Sequence, residues 1–304
     1  MNSNSSFLIP HHSIWLNRYT KLLVCATFLL IIAGGLVTST QSGLSVPDWP
    51  LSYGKLMPPM VGGIRFEHSH RMIASLVGLM TLILTLWLGF REKRSWVRWL
   101  GIVAFGTVVT QGILGGMTVL FLLPAPVSIF HACLAQTFFA LVVSLAFFTS
   151  REWLSAPGKS VRGDLQDLKA PLLMMVTLVY LQLILGATLR HTGNQSIALS
   201  HVIGSFFVLI NAVLIMVRVL SRYEGKREFT YPALALGITT LLQMTLGMGA
   251  FIYIFMLPGR IQPEAGRVFF VTAHQSLSAL LLATSVFFVL RIYHKEAIYE
   301  PYAG

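Results

Sequence analysis

The chain has 304 residues, of which 55% are hydrophobic and only 11% charged, with a net charge of +11. Soluble globular chains carry about 25% charged residues, so the composition excludes a soluble enzyme and a disordered segment. With so few polar residues the positive balance is no nucleic-acid footprint either, and the composition describes an integral membrane protein.

The first twenty residues hold one Arg, several Ser and Asn and the pair His11 and His12. That is neither a signal peptide nor an Arg-rich transit peptide, and a bacterial plasma membrane is the expected setting. Apolar runs follow at about 21–40, 68–90, 99–121, 129–150, 170–189, 199–220, 231–257 and 269–291. A spanning helix needs about 20 apolar residues, and no run alternates with period two as a barrel strand would. The runs therefore predict an all-α integral membrane fold with eight transmembrane helices. Between the first two lies Gln41 to Phe66, rich in Gly and Pro, with Trp49 and Tyr53 suited to the interface. It reads as an ordered lid on the outer face. Of the 22 Lys and Arg residues, all but six fall at the termini and in the loops on the same side. The exceptions are Lys55, Arg65, Arg71, Arg190, Arg260 and Arg267, which places both termini in the cytoplasm.

The spans repeat a plan. Gln111 to Gly115, Gln182 to Gly186 and Gln243 to Gly247 all read Q-x-x-L-G, with a weaker cousin at Ile32 to Gly35. The intervening spans each carry one histidine near the outer end: His70, His131, His201 and His274. Ala74, Ala135, Ser205 and Ser278 follow four residues later, on the same helical face, leaving room for a flat body against each helix. This is an internal duplication. It predicts two pseudo-symmetric four-helix bundles, residues 1–150 and 151–304, with one histidine pair in each.

Ionisable groups inside membrane helices are costly and point to function. Imidazole suits Fe, Cu, Zn and Ni. Cys25 and Cys133 both lie inside apolar runs, which offers no disulfide framework, CxxC pair or cysteine-rich zinc site. A di-iron carboxylate bundle needs about four Glu, and only Glu67 accompanies a candidate histidine. That leaves iron held by histidine pairs, with the remaining ligands brought by the cofactor, and haem fits. Two other readings stay open: histidines hydrogen-bonded to neighbouring helices, and proton relays in a transporter built on repeated bundles. Arg71 and Arg190 are candidate partners for haem propionates. Glu67 is either a proton carrier at the pocket rim or the partner of Arg65 or Arg71 in a salt bridge. His68 is expected to face solvent or the interface and His191 to lie in an outside loop. Neither these nor His11, His12 and His294 gains a role from position.

Ser42-Gly-Leu-Ser-Val-Pro-Asp-Trp-Pro-Leu-Ser-Tyr-Gly54, Glu67-His-Ser-His-Arg71 and Arg190-His-Thr-Gly193 resemble stretches of the haem A synthase family of bacterial membranes and mitochondria. The resemblance covers essentially the whole chain, and His131, His201 and His274 match the family's other three histidines. It implies eight helices in two bundles and oxidation of the C8 methyl of haem O to the formyl of haem A, with oxygen drawn from water. His201 and His274 would then hold a permanent haem b, and His70 and His131 the substrate haem, with Glu67 beside the oxidised edge. The implied partners are haem O and haem A, membrane lipids, a haem O synthase and an electron acceptor, with no nucleic acid. Many members carry a cysteine pair in the first outer loop, and the matching positions here look like Val46 and Ser52. The runner-up is a di-haem b-type electron carrier with no chemistry on the macrocycle.

Overall fold

A computed structural model describes residues 11–154, 165–257 and 264–297. Among these residues there are nine α-helices and no named strand: α1 (His11–Ser39), α2 (Ile64–Arg91), α3 (Ser95–Leu120), α4 (Ala125–Phe148), α5 (Arg151–Leu154), α6 (Gln166–Thr192), α7 (Gln195–Arg222), α8 (Arg227–Phe251) and α9 (Ala265–Ala297). All but α5 are long and apolar enough to cross a membrane, giving the expected eight. Lys159, Arg162 and Arg260, which enter the charge count, and the side chains of His11 and His12 lie outside the described residues.

The helices overrun the apolar runs. α2 begins at Ile64 and α6 ends at Thr192, so Glu67 and His68, and likewise Arg190 and His191, stand on helices. His191 is therefore in a last helical turn rather than a loop. A run of hydropathy stops where lipid stops, whereas a helix continues until something caps it. Here the cap is local: Gly193 takes φ +65°, and the Asn194 side chain accepts from the amides of Ser196 (2.8 Å) and Ile197 (3.3 Å). Glycine takes that left-handed conformation without steric cost, and Asn is a strong N-cap. Two residues thus turn the chain from α6 into α7.

Helices α1 to α4 pack around Leu23, Val77, Leu84, Leu88, Val97 and Val142. Helices α6 to α9 pack around Leu168, Leu172, Ile215, Phe229, Leu236 and Phe288, with Cys133 and Ala140 of α4 joining them. A third, smaller cluster of Ile31, Phe139, Ala279 and Ala283 lies where α1 and α4 meet α9. Leu22, Leu29, Leu79, Phe90, Ile210 and Leu214 point outward, an apolar surface that water would not tolerate and a bilayer requires. Because lipid is as apolar as leucine, packing and interhelical hydrogen bonds hold such helices together. Three bonds do so across the seam: Gln136 with Ser278 (2.8 and 3.0 Å), Thr272 with Ser39 (3.0 Å) and Thr137 with Tyr180 (3.0 Å). Ser278 is thus turned to the neighbouring half rather than marking a gap.

The Gln136 and Ser278 pair is mutually satisfying and buried in a region without water. Ser278→Ala should cost about 1–2 kcal/mol, because it strands one amide group. The double change Gln136→Leu with Ser278→Ala should recover most of the loss. Unfolding midpoints in detergent measure both.

Candidate functional site

Each of the four inward histidines meets a glycine on the preceding spanning helix. A Cβ added to Gly34 would lie 3.1 Å from Cε1 of His70, one on Gly115 3.5 Å from His131, one on Gly186 3.1 Å from His201, and one on Gly247 2.8 Å from His274. Only a residue without a side chain lets the ring come so close to the helix. Four residues before each glycine stands a backbone carbonyl facing the same ring. His274 Nδ1 lies 3.1 Å from the Gln243 carbonyl oxygen. His70, His131 and His201 interact with the backbone of Leu30, Gln111 and Gln182, although their Nδ1 atoms do not complete a bond of ordinary geometry. A carbonyl can only accept, so at His274 Nδ1 carries the proton and Nε2 keeps its lone pair, free to bind a metal.

This register explains the repeated Q-x-x-L-G pattern and corrects its first copy. The equivalent in α1 is Leu30 to Gly34, not Ile32 to Gly35. Leucine can replace glutamine there because the ring uses the backbone carbonyl, not the side chain. The glutamine side chain adds a second tie in α3, where Gln111 Nε2 donates to the His131 carbonyl at 2.9 Å.

The rings come in pairs. His201 and His274 have centroids 6.1 Å apart and planes at 89°. Two imidazoles bonded to one metal at about 2 Å each would place their centroids roughly 6 Å apart. His70 and His131 lie within electrostatic reach of each other. Among the described residues no group of three or more His, Cys, Asp or Glu could hold a metal ion. Each pair could offer two ligands at most, so a metal held there would need a cofactor to supply its other ligands. A porphyrin does this, and the residues present fit haem.

The outer loop is fastened to α2 by the residues flanking His70. Glu67 is 3% exposed; its Oε1 accepts from Arg71 Nη2 at 2.6 Å and its Oε2 from the Val46 amide at 2.9 Å. Of the two openings left for Glu67, the salt bridge to Arg71 is formed. Arg71 also donates to the carbonyls of Asp48 (2.7 Å), Leu51 (2.8 Å) and Val46 (3.3 Å), so its guanidinium holds the loop. His68 was expected to face solvent or the interface. It is 4% exposed, with Nδ1 2.9 Å from Ser52 Oγ, because the loop folds back over α2. The Trp49 ring seats on α3, where a Cβ on Gly116 would lie 2.8 Å from it. Asp48 closes the turn by accepting from the amides of Tyr53 (2.6 Å) and Gly54 (2.8 Å). The Gly54 amide, followed by that of Tyr53, holds the Asp48 carboxyl below the usual carboxylate range against a smaller opposing effect of burial.

At the outer end of the second half, Arg190 lies within electrostatic reach of Arg267, and His191 within reach of Arg190 and of His131. Arg267, His191, His68 and the four glycines were not singled out by sequence. The glycines carried a signal in their spacing; the others carried none, since their neighbours come from distant segments.

Fold and site together define a polytopic membrane protein with two pairs of buried imidazoles, one pair beneath a tethered outer loop. The cytochrome oxidase assembly protein family matches residues 17–62 and 64–199, more than half of the chain. The chain belongs to that family. Its relatives include the heme A synthase of Alkalihalophilus pseudofirmus, 27% identical over 78% of this chain and 85% of the relative. Another is the heme A synthase of Halalkalibacterium halodurans, 25% identical over 89% of this chain and 94% of the relative. A third, the heme A synthase of Symbiobacterium thermophilum, is 33% identical over 58% of this chain and 60% of the relative.

Ser52→Ala should loosen the loop where it covers His68 and raise hydrogen exchange around residue 52, while Glu67 and Arg71 keep Val46, Asp48 and Leu51 tied to α2 and the spanning helices stay protected. The turn should also loosen in acid. A carboxyl with a lowered folded pKa contributes fully above its ordinary value of 3.8, and the contribution is lost as pH falls through the lower folded value. Exchange at the Tyr53 and Gly54 amides, followed downward from pH 5, measures this, and Asp48→Ala should abolish the dependence.

Proposed function

We propose that this chain is a haem A synthase, an oxidoreductase that converts the C8 methyl of haem O into the formyl group of haem A for terminal oxidases. The reading is supported by family membership and by relatives that bear this name over most of their length. The observation that carries it is the doubled site: two imidazole pairs, each ring set on a glycine with Nε2 left for iron. Two pairs, one of them with a ring on the helix that the outer loop is tied to, suit a substrate and a fixture.

In this reading residues 1–150 form the substrate half and residues 151–304 the fixed half. His201 and His274 hold a haem b, which when bound supplies one-electron redox chemistry. His70 and His131 would hold the iron of haem O, with Glu67 beside the edge to be oxidised. Turning a methyl into a formyl takes an oxygen atom from water and releases protons as well as electrons, and Glu67 would be the carboxylate that takes the protons at its Oε atoms once Arg71 releases it. The loop held by Arg71 and by the Ser52 to His68 bond would cover that edge and limit access to the water that supplies the oxygen. Arg190, with Arg267 beside it, offers positive charge to propionates in the second half; Arg71 gives its charge to the rim of the first half while it ties the loop. The electrons leave through an acceptor outside the chain, and haem O arrives from a haem O synthase in the same membrane. The excess of basic residues in one set of loops supports a reading with both termini in the cytoplasm of a bacterial cell.

Extracted haems test the proposal. Expressed with a haem O supply, the chain should yield haem A, Glu67→Gln should yield haem O with little haem A, and His274→Ala should lose haem b. Return of haem b alone from the unaltered chain would make it a b-type electron carrier. The glycine register gives a graded check. Gly247→Ala forces the His274 ring aside and should empty the second site, whereas Gly115→Ala, at ordinary contact distance, should keep haem content near normal.

A further inference from the structure

At the end of the molecule where α1 begins and α9 finishes, a cavity of about 840 Å³ opens between α1, α4, α5 and α9. It lies at the seam between the two halves, far along the helices from the four histidines. Its walls divide by chemistry. The inner part is apolar, with Cys25, Phe147 and Phe287, and the rim carries Arg18, Lys21 and Arg151. On α1 the residues Arg18, Lys21 and Cys25 follow helical spacing along one face. The single acid in the wall, Glu152, is held by Arg291. On the same side of the molecule Glu92 is held by Arg94, Asp167 by Arg222 and Glu228 by Lys295. Arg18, Lys21 and Arg151 are exposed and form no ion pair among the described residues. Three cations with no ion pair among the described residues therefore ring an apolar slot near one end of the spanning helices, where a leaflet's headgroups would lie.

We propose that this cavity is a binding site for one anionic phospholipid of that leaflet, its phosphate held by Arg18, Lys21 and Arg151 and its acyl chains laid against Phe147 and Phe287. A soluble anion would leave the apolar wall uncovered, and a zwitterionic lipid would carry its own cation into the basic rim. An anionic lipid satisfies both parts at once and is drawn by the same field that orients the chain. Because α1, α4 and α9 are the helices that join the two halves, the lipid would fill the seam rather than coat one bundle.

The molecule contains its own reporter. Cys25 lines the slot and is exposed, whereas Cys133 is buried, so an alkylating reagent should read Cys25 alone. The full-length protein is placed in nanodiscs of phosphatidylcholine, with or without phosphatidylglycerol, and alkylation of Cys25 by N-ethylmaleimide is followed by mass spectrometry. Phosphatidylglycerol should slow the reaction by roughly tenfold, given three basic side chains near an anionic headgroup. The combined change Arg18→Gln, Lys21→Gln and Arg151→Gln should abolish that protection while the general surface potential of the disc remains. Equal rates in the two lipid mixtures, or protection that survives the triple change, would overturn the proposal. Native mass spectrometry gives a second reading if Cys25 proves slow everywhere: the unaltered chain should retain phosphatidylglycerol and the triple variant should not. Equal retention would sink the idea, as would retention of phosphatidylcholine in the same amount.

Discussion

The structure depends on a close approach between an imidazole ring and a helix backbone, repeated four times. Inside a bilayer a neutral histidine must place its N–H on an acceptor or bear a cost of several kcal/mol. Backbone carbonyls of a helix are already engaged, but they retain a second lone pair. A ring can reach one only where the facing helix has no side chain in the way. Gly34, Gly115, Gly186 and Gly247 provide that absence, and Leu30, Gln111, Gln182 and Gln243 provide the carbonyl one turn earlier. His274 closes that contact, with Nδ1 3.1 Å from its carbonyl, while Nδ1 of His70, His131 and His201 forms no hydrogen bond and only the close approach to the glycine is shared. The approach uses backbone, which explains why side chains at the carbonyl position can differ between α1 and α3.

One turn of α2 serves two surfaces. His70 looks inward to its glycine, while Glu67, His68 and Arg71 look toward the outer loop and bind it through Val46, Asp48, Leu51 and Ser52. The loop is therefore tied to the turn of α2 that carries His70. The arrangement also shows how a loop without cysteines is held: by an arginine spread over three carbonyls, by a carboxylate on an amide, and by a serine on a buried histidine. Charge-assisted bonds of this kind are about twice as strong as neutral ones, and here they are shielded from water.

The two halves are joined by small residues and a few buried hydrogen bonds rather than by charge. Gln136 and Ser278 sit on α4 and α9, a little more than one turn from His131 and His274 respectively. Helices α4 and α9, which carry His131 and His274, therefore touch directly across the seam.

The sequence by itself determined the spans, the duplication and the four histidines, because each follows from composition or from a period along one helix. Hydropathy is a local quantity, and a residue costly in lipid is conspicuous wherever it stands. It also held the glycine spacing, though not its purpose: nothing in α1 alone says that Gly34 is the seat of His70. What only the tertiary structure decided lies between segments distant in the chain. The partner of Glu67, the burial of His68 beneath Ser52, the engagement of Arg71 with loop carbonyls and the company Arg190 keeps with Arg267 all depend on how a loop folds back and how helices turn about their axes. Those choices are made by packing summed over many weak contacts, and no single residue type announces them.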